Sequence, residues 1–497
     1  MFSRKPIAVL AILLLFTIIY HQVFIADYAY LDEIHQLWNN KDRSNFTMFA
    51  TQGRWLTGVA INKLFGATNT IQELKYLRIL SFFGWILTTF SIYLVLNKWS
   101  AKQLIDNKTV RFLTLYIIVS APVAIFIGWA SCLELFIAVL SGLLSGALLF
   151  NNLYGQTGYI RVSNLALLGS LGLGIISLFF YQNAFGIFLL PFLFHYVKEA
   201  AIKPSKIVWI GLFYYLVIYL VYYFLFKYSL QSEHLVASDR TGISTNIPGK
   251  LSFFFSWPLP SAFTLNYLYE TNTLTPQILA PGLLLLWIVS VFLRYKTKGF
   301  VHVLPFIAII IVFLLLIYLP SMISKENFAS YRTLFPLQLA VFWLMISQAA
   351  YFIKKNSTKQ LIAGTFATVL MITGFYNYNF QFVHPLKNEY SNFNNYMESR
   401  IPTLGDTVYF IRADKKLFTS LYSIRSTGDE FGNPSTTRDW VPEPLIRQIV
   451  IEKTGNRIKA EQIKVIQFSS NEEFEKYKAT IRSPVFVINM NSIISMQ

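Results

Sequence analysis

Eleven apolar runs, most of them about as long as a bilayer is thick and the run at 184–198 shorter, follow one another along most of the chain, and this repetition limits the fold more than any other feature. A helix needs ~20 residues to cross roughly 30 Å of hydrocarbon. Only helices and closed barrels satisfy their backbone groups there. The runs fall at about 6–25, 77–97, 110–129, 132–151, 163–181, 184–198, 207–226, 277–294, 300–320, 335–353 and 360–377. They predict a polytopic α-helical membrane body of about eleven transmembrane helices. The first run follows Arg4 and Lys5, is longer than a signal-peptide core, and lacks a small-residue cleavage site, so it reads as a retained helix.

Charge in the connectors predicts orientation. Arg4 and Lys5 precede the first run; Lys98, Lys102, Lys108 and Arg111 follow the second; Arg161 follows the fourth. Lys198, Lys203 and Lys206 follow the sixth, Arg294, Lys296 and Lys298 the eighth, and Lys354, Lys355 and Lys359 the tenth. Lys and Arg in short loops stay cytoplasmic. Basic charge in every second connector therefore predicts a cytoplasmic N-terminus and an extracytoplasmic C-terminus. The transmembrane body spans 1–377, with outer loops at 26–76 and 227–276, and 378–497 forms an extracytoplasmic tail. Strand-like runs at Thr407–Ile411 and Pro484–Asn489 and helical runs at Pro444–Lys453 and Asn471–Ile481 make the tail a small α/β domain.

Composition narrows the function. Only 13% of residues are charged, against roughly a quarter in a soluble chain. The net charge of +17 is not a nucleic-acid footprint: the tail holds fifteen basic and thirteen acidic residues, so the excess lies in the short loops. The single cysteine, Cys132, allows no internal disulfide and no Cys-rich metal site, and the six histidines show no paired ligand spacing, so no zinc site is expected. A lipid or polysaccharide transporter or flippase would show internal repeats or ionisable residues at mid-membrane depth; neither is evident. A glycan polymerase or ligase would place Arg and His in a large late loop.

The first outer loop carries the chemistry. It opens Ala26-Asp27-Tyr28-Ala29-Tyr30-Leu31-Asp32-Glu33-Ile34-His35, three acids within seven residues. Acids here either mark the headgroup boundary or, partly desolvated, serve as a general base. Further along stand Gly53-Arg54-Trp55. A guanidinium can hold phosphate bidentately, Trp favours the interface, and glycine lets backbone approach a ligand.

This layout resembles the GT-C class of membrane glycosyltransferases, and within it the bacterial Gtr-type (type II) glucosyltransferases. That family is similar in having an acidic pair after the first helix, here Asp32-Glu33, and a Gly-Arg-aromatic element some way downstream, here Gly53-Arg54-Trp55. It also has a Tyr-Gln pair at the outer end of a middle helix, here Tyr181-Gln182. The second acid is Glu where the family pattern has Asp, and Gln36 and Leu37 stand where an Arg would follow. The resemblance implies a bacterial plasma-membrane enzyme that transfers a sugar, glucosyl in that family, from a polyprenyl-phosphate donor to a cell-surface or lipid-linked glycan acceptor. It implies Asp32 as base with Glu33 assisting, Arg54 at the donor phosphate, and no cofactor; paired acids leave a divalent metal open.

Other outer-face residues carry two readings each. Glu134, in the turn after Trp129, is a helix N-terminal charge or a second active-site carboxylate. Arg332 and Arg240 are candidate phosphate ligands or flanking loop charges. His35 is a loop residue or a catalytic one. The stretch Thr427–Ser435 is a turn or an acceptor-binding loop. The aromatic, proline-broken stretch Phe254–Pro260 anchors at the interface or walls a lipid groove.

Overall fold

The computed structural model describes residues 4–154, 163–200, 203–270, 273–296, 299–352, 356–428, 430–479 and 486–496 of the 497. Arg161, Lys298, Lys354, Lys355 and Asp429 lie outside the described residues, as do the expected element ends at Ile481 and Pro484.

Each of the eleven apolar runs is mostly helical over its described length, with breaks such as Ser120 in the run 110–129. Among the described residues, seven helices are long and apolar enough to cross a membrane on their own: Pro6–Phe24, Leu74–Ala101, Ala130–Leu153, Lys206–Ser232, Leu274–Tyr295, Phe300–Ile317 and Gln360–Thr403. Asn107–Val119 and Ala121–Gly128 make an eighth if counted as one span bent by 42°. Pro122, in the first turn after the break, has no amide to donate back across it. Large apolar side chains such as Leu10, Leu14, Phe83, Leu87, Phe213 and Leu285 stand exposed on these helices. In water such a surface would drive association; in lipid it is the solvated face. The chain is a helical, multi-pass membrane protein.

The runs 163–181 and 184–198 are shorter than an independent span. The first forms Asn164–Phe180, and the second a 3₁₀ stretch, Gln182–Leu189, running into Leu190–Glu199. Both pack against Leu135–Leu153, where small residues let backbones approach. A Cβ on Gly146 would lie 2.3 Å from the Phe188 carbonyl oxygen, so only glycine fits.

The last apolar run does not stop near 377 as expected. The helix Asn356–Tyr376 continues through a π-helical turn, Asn377–Val383, into His384–Arg400. Pro385 cannot donate a helical hydrogen bond, and the widened turn just before it absorbs that loss without ending the helix. Asn379 Nδ2 donates to the Ile19 carbonyl (2.9 Å) and Asn377 Nδ2 to the Asn266 carbonyl (2.7 Å), so the turn is tied into the body.

Beyond this helix the chain builds a three-stranded parallel sheet in the order β2 (Lys464–Phe468), β1 (Thr407–Ile411), β3 (Phe486–Asn489). Thr407 pairs with Lys464 on one side, and Val408 with Phe486 on the other. Helix Pro442–Thr454 packs on the first-loop helix Asp32–Trp38. Gln448 Nε2 donates to the Asn69 carbonyl (2.8 Å), and Glu452 accepts from the Ile71 amide (2.8 Å).

The connectors sort into two sets. Those expected outside meet each other: the Ser238 amide donates to the Thr51 carbonyl (3.0 Å), the Lys325 amide to Gly242 (2.7 Å), and Arg332 Nε to Glu430 of the tail (2.9 Å). Those expected inside also meet each other: Lys102 Nζ donates to Asn151 (3.3 Å), and His302 Nε2 lies 2.9 Å from the Ala200 carbonyl oxygen. A substitution at the tightest helix contact tests this packing. Gly146→Leu should cost about 1–3 kcal/mol through overpacking and lower the unfolding midpoint of the detergent-solubilised protein, whereas Gly172→Leu, at a glycine with open space around it, should not.

Candidate functional site

The first loop begins without regular structure over 26–30 and turns sharply at Leu31, whose φ of 45° is in the left-handed region that side chains avoid. Strain of this kind persists only where surrounding contacts over-determine it. The next residue, Asp32, opens the helix Asp32–Trp38 and is half-buried. Glu33, beside it, is fully buried and bonded to Arg78 Nη2 at 2.6 Å. Its carboxylate also accepts from the Tyr30 amide (2.8 Å) and, at short range, from the Ala130 amide. Arg78 Nη2 donates further to the Tyr28 carbonyl (2.7 Å), and its guanidinium lies 3.6 Å from the Tyr28 ring centroid. Burial raises the Glu33 pKa above the ordinary carboxylate range, while Arg78 and the two amides pull it down. With no exposed surface, Glu33 is placed as the brace of the loop, and Asp32 is the acid of the pair with solvent access. His35 is on the same helix, 3.0 Å from Asn39 Nδ2.

The Gly53-Arg54-Trp55 element meets the Tyr181-Gln182 pair. Gly53 has φ +77°, and a Cβ there would lie 2.3 Å from Tyr222 Oη. Tyr222 Oη donates to the Gly53 carbonyl (2.9 Å), and Gln182 Nε2 donates to the Gln52 carbonyl (2.9 Å) and to Tyr222 Oη (2.8 Å). Arg54 caps the helix Trp55–Gly66 and lies between the rings of Phe49 and Tyr181, 4.8 Å from each centroid. Its Nε donates to the Phe180 carbonyl (3.2 Å) and its Nη2 to Glu134 Oε1 (2.7 Å). Trp55 packs edge-on against Phe46. Glu134 is fully buried; Thr57 Oγ1 also donates to its Oε1 (3.2 Å), and its Oε2 has no hydrogen-bond partner among the described residues.

Arg332 arrives from elsewhere in the chain, in the first turn of the helix Tyr331–Phe352. Its Nε (2.9 Å) and amide (3.0 Å) donate to Glu430 Oε1, and the Tyr331 amide donates to Oε2 (2.5 Å). Its guanidinium lies 4.2 Å from the Trp129 ring centroid. Tyr30 closes the circle, with its ring 5.0 Å from Trp129 and its hydroxyl donating to the Glu430 carbonyl (3.2 Å). Two ion pairs thus surround the Trp129–Glu134 turn, close to the start of the first loop.

Arg240 is not part of this group. It is 68% exposed on the second loop and 3.8 Å from Glu326. Two residues that matter were not singled out in the sequence. Arg78 reads as the flank of an apolar run, although an arginine so near membrane depth signals a partner. Glu430 sits in the turn-rich stretch Thr427–Ser435, where only the fold shows that it reaches Arg332. No three His, Cys, Asp or Glu side chains among the described residues come together as a metal-ligand group. No protein-family model, curated protein or solved structure matches the chain.

Removing one member of a buried ion pair leaves the other uncompensated and costs about 3–5 kcal/mol. Glu33→Ala and Arg78→Ala should each lower the unfolding midpoint sharply, the Glu33→Leu/Arg78→Leu double variant should regain much of it, and half-buried Asp32→Asn should lower it far less than either single change.

Proposed function

We propose that the chain is a GT-C-type membrane glycosyltransferase with eleven membrane crossings, a cytoplasmic N-terminus, and the first loop and tail outside. It transfers a sugar, glucosyl by resemblance, from a polyprenyl-phosphate donor to a glycan acceptor at the outer face of a bacterial plasma membrane. The observation that carries this reading is the gathering of two guanidiniums, Arg54 and Arg332, from distant segments around the Trp129–Glu134 turn, whose Ala130 amide donates to Glu33, the neighbour of Asp32.

The chemistry follows from that arrangement. Asp32 takes the proton from the acceptor hydroxyl, and the hydroxyl oxygen attacks the anomeric carbon. The bond from that carbon to the phosphate oxygen breaks, and the bonding pair leaves with the polyprenyl phosphate. Negative charge grows on the leaving oxygens, where preorganised cations stabilise it most. Arg54 is suited to this role: Nε and Nη2 hold it in place, and Nη1 makes no hydrogen bond to the described residues. Arg332 is bonded to Glu430, so a phosphate there competes with a resident carboxylate. Membrane lipids surround the body, and the donor's polyprenyl chain reaches the site from that side.

Asp32→Asn in proteoliposomes should reduce transfer by about 10²–10⁴-fold, the usual worth of a general base, with unchanged membrane insertion. Transfer at the parent rate would remove Asp32 from the mechanism. Flux of the lipid-linked sugar without any acceptor glycan would make the protein a transporter instead.

A further inference from the structure

Between the first two membrane-spanning helices lies an apolar groove of about 170 Å³. It is lined by Val9 and Ile12 of the helix Arg4–Tyr20 and by Phe83, Ile86, Leu87 and Phe90 of the helix Leu74–Ala101. Phe16 meets Phe82 edge-on with ring centroids 6.0 Å apart, and both are buried, which closes the groove toward the first loop. Phe83 and Leu87 are 55% and 58% exposed, so the groove opens sideways. On a membrane-spanning segment that opening faces hydrocarbon. With apolar side chains on every wall, the groove suits a hydrocarbon chain and no polar ligand.

The lining stripe continues down its helix to a charge. Leu94 and Lys98 follow Phe90 at one-turn intervals on the same face, and both are exposed. At 1.5 Å of rise per residue, Lys98 lies roughly 12 Å along the axis from Phe90 and roughly 22 Å from Phe83. One leaflet holds roughly 15 Å of hydrocarbon, half of the bilayer core. A phospholipid with its headgroup at Lys98 therefore places the end of its chain in the groove. The helix that forms the other wall begins at the same end with Arg4 and Lys5. Lys102 stands one turn beyond Lys98, its Nζ donating to Asn151 (3.3 Å). Like charges at this spacing repel, and burial together with the Lys98 charge lowers the Lys102 pKa. The acids nearby are engaged elsewhere. Asp106 accepts from the Lys108 amide (2.8 Å) and from Thr109 Oγ1 (2.7 Å), and Glu199 lies 3.1 Å from His195. Lys98 has no acid partner among the described residues.

We propose that this groove binds a chain of an anionic phospholipid, with the headgroup phosphate at Lys98. The apolar walls select a lipid, and the lysine in line with them selects an anionic one. Basic residues at the end of a membrane helix attract anionic headgroups, a gain that a zwitterionic lipid in the same groove lacks. Bound there, the lipid fastens the helix Arg4–Tyr20 to the helix Leu74–Ala101, whose Arg78 holds the first loop. Such binding is independent of any catalytic activity.

The test is native mass spectrometry of the full-length, detergent-solubilised protein titrated with dioleoyl phosphatidylglycerol and, separately, with dioleoyl phosphatidylcholine. The first phosphatidylglycerol should bind about fivefold or more tightly than the first phosphatidylcholine, since one juxtamembrane lysine is worth about that factor. Lys98→Gln should remove this preference and leave phosphatidylcholine binding unchanged. Leu87→Trp, which fills the groove from an exposed position, should weaken both lipids. Lys296→Gln, at an exposed lysine ending a different membrane helix, should bind like the parent. All three variants should keep the parent unfolding midpoint. Equal affinity for the two lipids, parent-like phosphatidylglycerol binding in either Lys98→Gln or Leu87→Trp, or an equal loss in Lys296→Gln would overturn the proposal. Displacement of bound phosphatidylglycerol by a lower concentration of polyprenyl phosphate would also overturn it, assigning the groove to an isoprenoid chain.

Discussion

The ion pair between Glu33 and Arg78 is the contact on which the outer face of this protein depends. It joins the first loop to the membrane helix Leu74–Ala101, and through the Ala130 amide it also joins the turn that opens Ala130–Leu153. Three segments are thereby held at one buried carboxylate. Breaking either partner would leave a buried charge uncompensated, which favours this arrangement of the loop. In that arrangement Leu31 takes the left-handed turn and Asp32 is the partly exposed acid. It also sets Tyr30 against Trp129, the ring on which Arg332 lies.

The tail extends the same construction. Glu389, in the helix that leaves the membrane, accepts from the Ser435 amide (2.8 Å) and from the Thr436 amide (3.0 Å) and hydroxyl (2.6 Å). Ser435 Oγ in turn donates to the Ala29 carbonyl (3.1 Å), three residues from Asp32. The stretch that delivers Glu430 to Arg332 is therefore pinned at both sides, and helix Pro442–Thr454 covers the first-loop helix. The tail is part of the wall around the cluster, so a change in how it sits would reach Arg332 and the first loop together.

Much of the architecture was legible in the sequence because its cause is local. A run of ~20 apolar residues can satisfy its backbone in lipid only as a helix, and all eleven runs are mostly helical where described. The strand Thr407–Ile411 was legible from its β-branched and aromatic run. The boundary at 377 was not, because the polar Asn377–Val383 turn looks like a helix end until its asparagines are seen bonded to the body. Nor was the different standing of Asp32 and Glu33, which are neighbours of like charge in sequence. Arg78 takes one of them and leaves the other at the surface, a choice made 45 residues away.

The sequence by itself determined a helical membrane body, the alternation of its connectors, and a loop rich in acids followed by Gly53-Arg54-Trp55, since apolar length, charge placement and residue type act over a few turns of chain. Only the tertiary structure decided which of those charges meet. Arg54 found Glu134, Arg332 found Glu430 and Glu33 found Arg78 across separations of 80, 98 and 45 residues. Arg240, equally prominent in the sequence, stayed at the surface. The reason is physical: a buried charge must find its partner wherever the packing of helices brings one, and that packing is a property of the whole chain.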